Sequence, residues 1–169
     1  MKDYIFRKAV IEDKNSIWNI IQQAILRRKA DGSNQWQDGY PNVESIENDI
    51  VNNFGFVLVD EEKIIGYCAV IINYEPAYDG IEGKWLTNED FVVIHRIAID
   101  DNYLGRGLSG KIIENVENFA KENNIFSVKV DTNFDNIAMM KIFERRRYQY
   151  CGEVYFRGSA RRAYEKVLK

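Results

Sequence analysis

Residues 91–111 constrain the fold most: Phe91-Val92-Val93-Ile94-His95-Arg96-Ile97-Ala98-Ile99, then Asp100 to Leu104, then Gly105-Arg106-Gly107-Leu108-Ser109-Gly110-Lys111. The nearly continuous apolar run predicts a buried strand. Behind the glycines, Leu108, Ile112, Ile113, Val116, Phe119 and Ala120 recur at helical spacing. A tight turn opening such a helix exposes backbone N–H groups, which favour a phosphate or pyrophosphate. The segment therefore reads as a site for a phosphorylated cofactor.

The flanking pattern supplies the other elements. Residues 4–10 read as a first strand, and Asp13 caps a helix with Ile17, Ile20, Ile21, Ala24 and Ile25 on one face. A second helix shows Val43, Ile46, Ile50 and Phe54. Apolar runs over 56–59 and 64–72 flank the turn Asp60-Glu61-Glu62-Lys63 and predict a hairpin, followed by a long polar loop over 73–90. Residues 127–131 predict a strand, 136–146 a helix, and 150–156 with 163–168 a closing strand pair. The order β-α-α-β-β-β-α-β-α-β-β predicts an α+β fold, a mixed α/β sandwich. Its central mixed sheet is flanked by helices, with one parallel β-α-β unit over 91–131. The 169 residues fit a single domain over 1–169.

Composition removes several classes. A net charge of −3 gives no field that favours nucleic acid or an anionic membrane. No apolar run approaches the ~20 residues that span a bilayer. Met1-Lys2-Asp3-Tyr4 does not begin a signal peptide, so the expected location is cytoplasmic. Two cysteines, Cys68 and Cys151, do not make a disulfide framework, and one histidine does not make a zinc site. Arg145-Arg146-Arg147 sits at a predicted helix C-terminus, where cations are favoured structurally.

Three cofactor classes fit the glycines. Gly105-x-Gly107-x-x-Gly110 matches a dinucleotide fingerprint, with Asp131 ending the next strand as a ribose-binding acid would. That fingerprint needs its first glycine almost directly after the strand, and here Asp100 to Leu104 intervene. Gly105-x-x-x-x-Gly110-Lys111 nearly matches a nucleotide-triphosphate loop, but Ile112 stands where a Ser or Thr would hold Mg²⁺. In the third class, an apolar strand and a short loop precede Leu104-Gly105-Arg106-Gly107-Leu108-Ser109. This resembles the acyl-CoA-binding motif of the GNAT superfamily of N-acetyltransferases, Arg/Gln-x-x-Gly-x-Gly/Ala. Leu104 replaces the family's Arg or Gln, and Ser109 its Gly or Ala. The likeness extends over almost the whole element order, including two early helices.

The resemblance implies acetyl-CoA as co-substrate, lying between two parallel strands that splay apart, with no metal. Backbone groups of Ile97, Ala98 and Ile99 would pair with the pantetheine arm. Residues Leu104, Gly105, Arg106, Gly107, Leu108, Ser109 and Gly110 would hold the pyrophosphate. Asn136 matches a cofactor-contacting Asn of the family and equally suits a helix cap. Where the family often places a catalytic Glu, four residues before Ile99, this chain has His95. A histidine ordinarily titrates near ~6.5, so it suits the role of a base that accepts the amine's proton. A backbone N–H near Ile97 would stabilise the oxyanion.

The family often carries a Tyr seven residues after the Asn, which protonates the departing thiolate. Here that position is Phe143. Protonation would fall to water, to Tyr103 or Tyr155, or to no residue, since a thiol near pKa ~8.5 leaves readily. Between the early helices, Gln35-Trp36-Gln37-Asp38-Gly39-Tyr40-Pro41 suits the acceptor side, with Trp36 and Tyr40 as substrate residues. Glu75 and Asp79 could attract a cationic amine. The resulting expectation is transfer of acetyl to a primary amine, on a small molecule or a peptide, by direct attack. The competing class is a non-catalytic acyl-CoA-binding or regulatory module. A homodimer is implied by the resemblance alone.

Overall fold

The computed structural model describes residues 2–169. In chain order the elements are β1 (Ile5–Lys8), α1 (Lys14–Ala30), α2 (Val43–Val51), β2 (Gly55–Asp60) and β3 (Lys63–Ile72). Next come α3 (Pro76–Asp79), β4 (Glu82–Gly83), β5 (Val92–Ile99) and α4 (Leu108–Glu122). The chain closes with β6 (Ser127–Thr132), α5 (Ile137–Arg145), β7 (Gln149–Phe156) and β8 (Ser159–Val167). The expected mixed sheet flanked by helices is present, with eight strands. No helix among the described residues is long and apolar enough to cross a membrane. The chain forms two compact units; β5 gives its first half to one and its second half to the other, as does α4.

The first unit contains the residues up to Val70 and Arg96–Asn115. Its strand order is β1-β2-β3-β5. β1 pairs antiparallel with β2 from Ile5↔Val59 to Lys8↔Phe56, and β2 with β3 from Gly55↔Ala69 to Asp60↔Lys63. The apolar stripe of α1 does what its spacing predicts: Ile17, Ile20, Ile21 and Ala24 are buried, with Ile46 and Ile50 of α2, against Val57, Val59, Tyr67 and Ala98. Each fully buried Ile or Val contributes about 1.5–3 kcal/mol. Ile25 is only partly buried. Phe54 lies beyond the end of α2. Asp13 stands at the α1 N-cap without capping it: its carboxylate accepts instead from Arg7 Nη1 at 2.7 Å and from the backbone N–H of Val10 at 2.8 Å.

The second unit contains Ile71–His95 and Val116–Lys169, with strand order β5-β6-β8-β7-β4. β5 runs parallel to β6, paired at Val92↔Val128 and Val93↔Lys129. β6 and β8 are antiparallel from Ser127↔Val167 to Thr132↔Arg162. Residues 73–90, expected as loop, contain α3 and the two-residue strand β4, too short to show a period. β4 pairs with β7 through Gly83↔Gly152, where a Cβ on either glycine would meet backbone oxygen at 2.1 or 2.2 Å. β8 begins at Ser159, earlier than its apolar residues indicate. Arg157 and Gly158, at φ 48° and 76°, turn the chain in two residues, so pairing starts at Phe156↔Ser159. Phe143 is 2% exposed and packs on Tyr148 and Tyr164, with ring centroids 5.8 and 5.2 Å away.

Candidate active site

The sheet register gathers polar groups of the second unit on one face. Side chains alternate along a strand, so Val93 and His95 of β5 share a side. The pairs Val93↔Lys129, Lys129↔Glu165 and Asp131↔Ala163 carry that side across β6 to β8, where Arg161 follows two residues before Ala163. The 73–90 segment covers this face. Tyr78 of α3 is buried there, its ring beside Trp85, His95 and Phe156 at centroid distances of 4.9, 6.5 and 6.4 Å. Trp85 donates its indole N–H to the carbonyl of Tyr78 at 3.0 Å.

His95 meets Glu75 at the centre of this arrangement. His95 Nε2 lies 2.7 Å from Glu75 Oε2, and the two side chains are 15% and 13% exposed. Glu75 is also the N-cap of α3, its Oε1 accepting from Ala77 N–H at 3.2 Å. Beside it, Tyr78 donates to Asp131 Oδ1 at 2.6 Å, and Arg161 Nη1 stands 3.5 Å from Asp131 Oδ2. Burial and the Asp131 charge push the Tyr78 phenol well above its usual range, so it holds its proton. Lys129 lies over the rings of Phe91 and Trp85 at 4.0 and 4.5 Å; burial pushes its ammonium below the usual lysine value. Glu165 is fully buried and anchors the covering segment. It accepts from Leu86 N–H at 2.5 Å, Thr87 Oγ1 at 2.7 Å and Ser127 Oγ at 2.6 Å.

The glycine turn belongs to the first unit. Asp100 accepts from Asn102 N–H at 2.8 Å and caps one helical turn over Asp101–Tyr103. Leu104 is extended, Gly105 and Gly107 take φ of 76° and 72°, and α4 begins at Leu108. A Cβ at Gly105, Gly107 or Gly110 would meet nothing within 4 Å. The two positive φ values explain Gly105 and Gly107, since that region disfavours any residue with a Cβ. Ser109 lies in the first turn of α4. Arg106 points back, its Nη2 donating to the Asn102 carbonyl at 3.2 Å and its guanidinium 4.7 Å above the Tyr103 ring.

Just before the turn, β5 bends. Arg96 has φ 55°, and its guanidinium grips Asp49, Nε to Oδ2 at 2.9 Å and Nη2 to Oδ1 at 2.5 Å. Its Nη1 donates to the hydroxyl of Tyr40. Tyr67 donates to Asp49 Oδ2 at 2.5 Å. Ala98 and Ile99 are buried, and Ile97 is partly so.

The structure brings together some predicted residues and separates others. Glu75 is joined to His95, whereas Asp79 is exposed. Tyr40 binds Arg96, while Trp36 packs at the edge of the first core. Asn136 caps α5, its Oδ1 accepting from Met139 N–H at 3.2 Å. Neither alternative acid is poised to release a proton. Tyr103 donates to Asp60 Oδ2 at 2.9 Å, and that bond raises its pKa. Tyr155 donates to Glu82 at 2.7 Å and is pushed up to about 12. Burial raises both cysteine thiols, which stay free in the core. Asp49, Lys129 and Glu165 were invisible to sequence reasoning, because their partners lie far away in the chain.

An apolar strand with a left-handed residue at Arg96, followed by a glycine turn that opens α4, is the arrangement on which the family resemblance rests. Residues 18–148 match the model of the acetyltransferase (GNAT) family. The chain belongs to that family. It is 22% identical over 148 residues to the uncharacterized N-acetyltransferase YesJ of Bacillus subtilis (strain 168), covering 85% of this chain and 81% of YesJ. It is 35% identical to a GNAT-family acetyltransferase from Streptococcus agalactiae 2603, with TM-score 0.91 over 98% of this chain and 96% of that one. A GNAT-family acetyltransferase from Listeria monocytogenes 4b F2365, 20% identical, shares the fold with TM-score 0.80 over 99% of this chain and 96% of the other.

Proposed function

We propose that the protein moves an acetyl group from acetyl-CoA to a primary amine by direct attack. The observation that carries this reading is the turn from Leu104 to Gly110, its two left-handed glycines opening a 15-residue helix in a chain of an acetyltransferase family. N–H groups at such a helix start suit the pyrophosphate of CoA. Under this reading Ile97, Ala98 and Ile99 offer backbone partners to the pantetheine arm, and Asn136 contacts the cofactor while capping α5.

The amine nitrogen attacks the thioester carbon, and charge develops on the carbonyl oxygen, which a backbone N–H near Ile97 stabilises. His95 takes the proton from the nitrogen, the C–S bond breaks, and CoA leaves as its thiolate. Phe143 cannot protonate it, and Tyr103 and Tyr155 hold their protons for carboxylates, so the thiolate takes its proton from solvent. Trp36 and Tyr40 are read as acceptor-side residues. The test is release of CoA thiol from acetyl-CoA across a panel of primary amines, on small molecules and peptide N-termini. Turnover with at least one amine supports the reading. Binding of acetyl-CoA by calorimetry without turnover on any amine leaves the non-catalytic acyl-CoA binder instead.

A further inference from the structure

Glu75 has both carboxylate oxygens committed: Oε1 to the Ala77 N–H of α3 and Oε2 to His95 Nε2. Its position is therefore fixed from the backbone side, and His95 takes its orientation from it. An ionised carboxylate only accepts hydrogen bonds, so the ring nitrogen that faces it must carry the hydrogen. The 2.7 Å separation fits such a charge-assisted bond. In the neutral ring this places the lone pair on Nδ1, which has no hydrogen-bond partner among the described residues. Phe156 stands edge-on to the ring with centroids 6.3 Å apart and Tyr78 is tilted beside it at 6.5 Å, which limits the freedom of the imidazole to flip.

We propose that Glu75 is a positioning residue that fixes His95 as the Nε2–H tautomer and presents Nδ1 to the acceptor amine. The inference rests on the reading of His95 as the proton acceptor. It assigns the proton to one atom, Nδ1, and gives the N-cap of α3 a part in holding Glu75.

The chain has one histidine, so ¹⁵N labelling of histidine yields two side-chain nitrogen signals without assignment ambiguity. In the unsubstituted protein with a neutral ring, the expected spectrum has a protonated Nε2 and an unprotonated Nδ1. In Glu75→Gln the single amide oxygen stays on Ala77 N–H and the amide NH₂ turns to His95. It donates to Nε2 and drives the ring proton to Nδ1. The expected result is a reversed tautomer, a kcat lower by about 100-fold, and an unchanged KM for acetyl-CoA. Because the cap survives in this variant, its thermal midpoint stays close to that of the parent. A parent ring protonated at Nδ1, or an E75Q enzyme with unchanged kcat, overturns the role of Glu75. Undiminished turnover in His95→Ala overturns instead the reading of His95 on which the role depends.

Discussion

Arg96 and Asp49 form a two-point ion pair, and through it a left-handed backbone residue is locked into the middle of β5. A non-glycine residue at φ 55° is a strained position that persists only when its surroundings over-determine it. Here Arg96 and Asp49 are 10% and 5% exposed in their side chains, and Tyr67 and Tyr40 occupy further lone pairs and donors of the pair. The bend lies directly before Ile97, Ala98 and Ile99, the residues expected to face the pantetheine arm.

Removing one member of such a pair leaves the other charge buried. Asp49→Ala is expected to cost about 3–5 kcal/mol of stability, read from the urea unfolding midpoint. Buried pairs replaced whole by apolar groups lose far less, so the double variant Asp49→Leu with Arg96→Met is expected to recover part of that loss. The double variant still fails in catalysis if the bend depends on the pair.

Acid stability follows from carboxylates held ionised in the fold. Burial alone would raise the Glu117 carboxyl, but hydrogen bonds from Arg146 and Lys166, at 2.8 and 3.0 Å, outweigh it and hold it below its ordinary 4.5. Asp13, bonded to Arg7, is held below its ordinary 3.8 in the same way. A depressed folded pKa stabilises the fold above the unfolded value and loses that contribution as pH falls through the folded one. Stability is therefore expected to be level above about pH 5 and to fall below it. Glu117→Gln should be less stable at pH 7 and lose less between pH 5 and pH 2, which denaturant midpoints across that range will show.

The glycine turn separates backbone need from space. All three glycines have room for a methyl group, yet only Gly105 and Gly107 have positive φ. Gly107→Ala is expected to cost about 1 kcal/mol in strain and to weaken acetyl-CoA binding at least several-fold by calorimetry. Gly110→Ala lies inside α4 and should stabilise it by about 1 kcal/mol in the ligand-free protein.

Much of this architecture is legible in the chain. The spacing of Ile17, Ile20, Ile21 and Ala24, and the apolar run into Gly105 and Gly107, report one-dimensional patterns that folding preserves. What escaped has a common cause. Asp49, Glu117, Lys129 and Glu165 are buried charged residues whose partners come from remote segments, so hydrophobic periodicity reads them as surface. Glu117 even sits beside Val116 in α4, where Arg146, Tyr148 and Lys166 make its burial tolerable. Glu75 stands 20 residues from His95, and nothing in its neighbourhood marks it apart from other loop acids. The short strand β4 escaped because two residues carry no period.

The central claim is that His95 accepts the proton of an amine attacking acetyl-CoA, and its most direct measurement is CoA thiol release by the parent and by His95→Ala at saturating acetyl-CoA. With an amine that the parent turns over, kcat is expected to fall by about 10²-fold or more in the variant while acetyl-CoA affinity by calorimetry is retained. Equal turnover in the two proteins contradicts the claim.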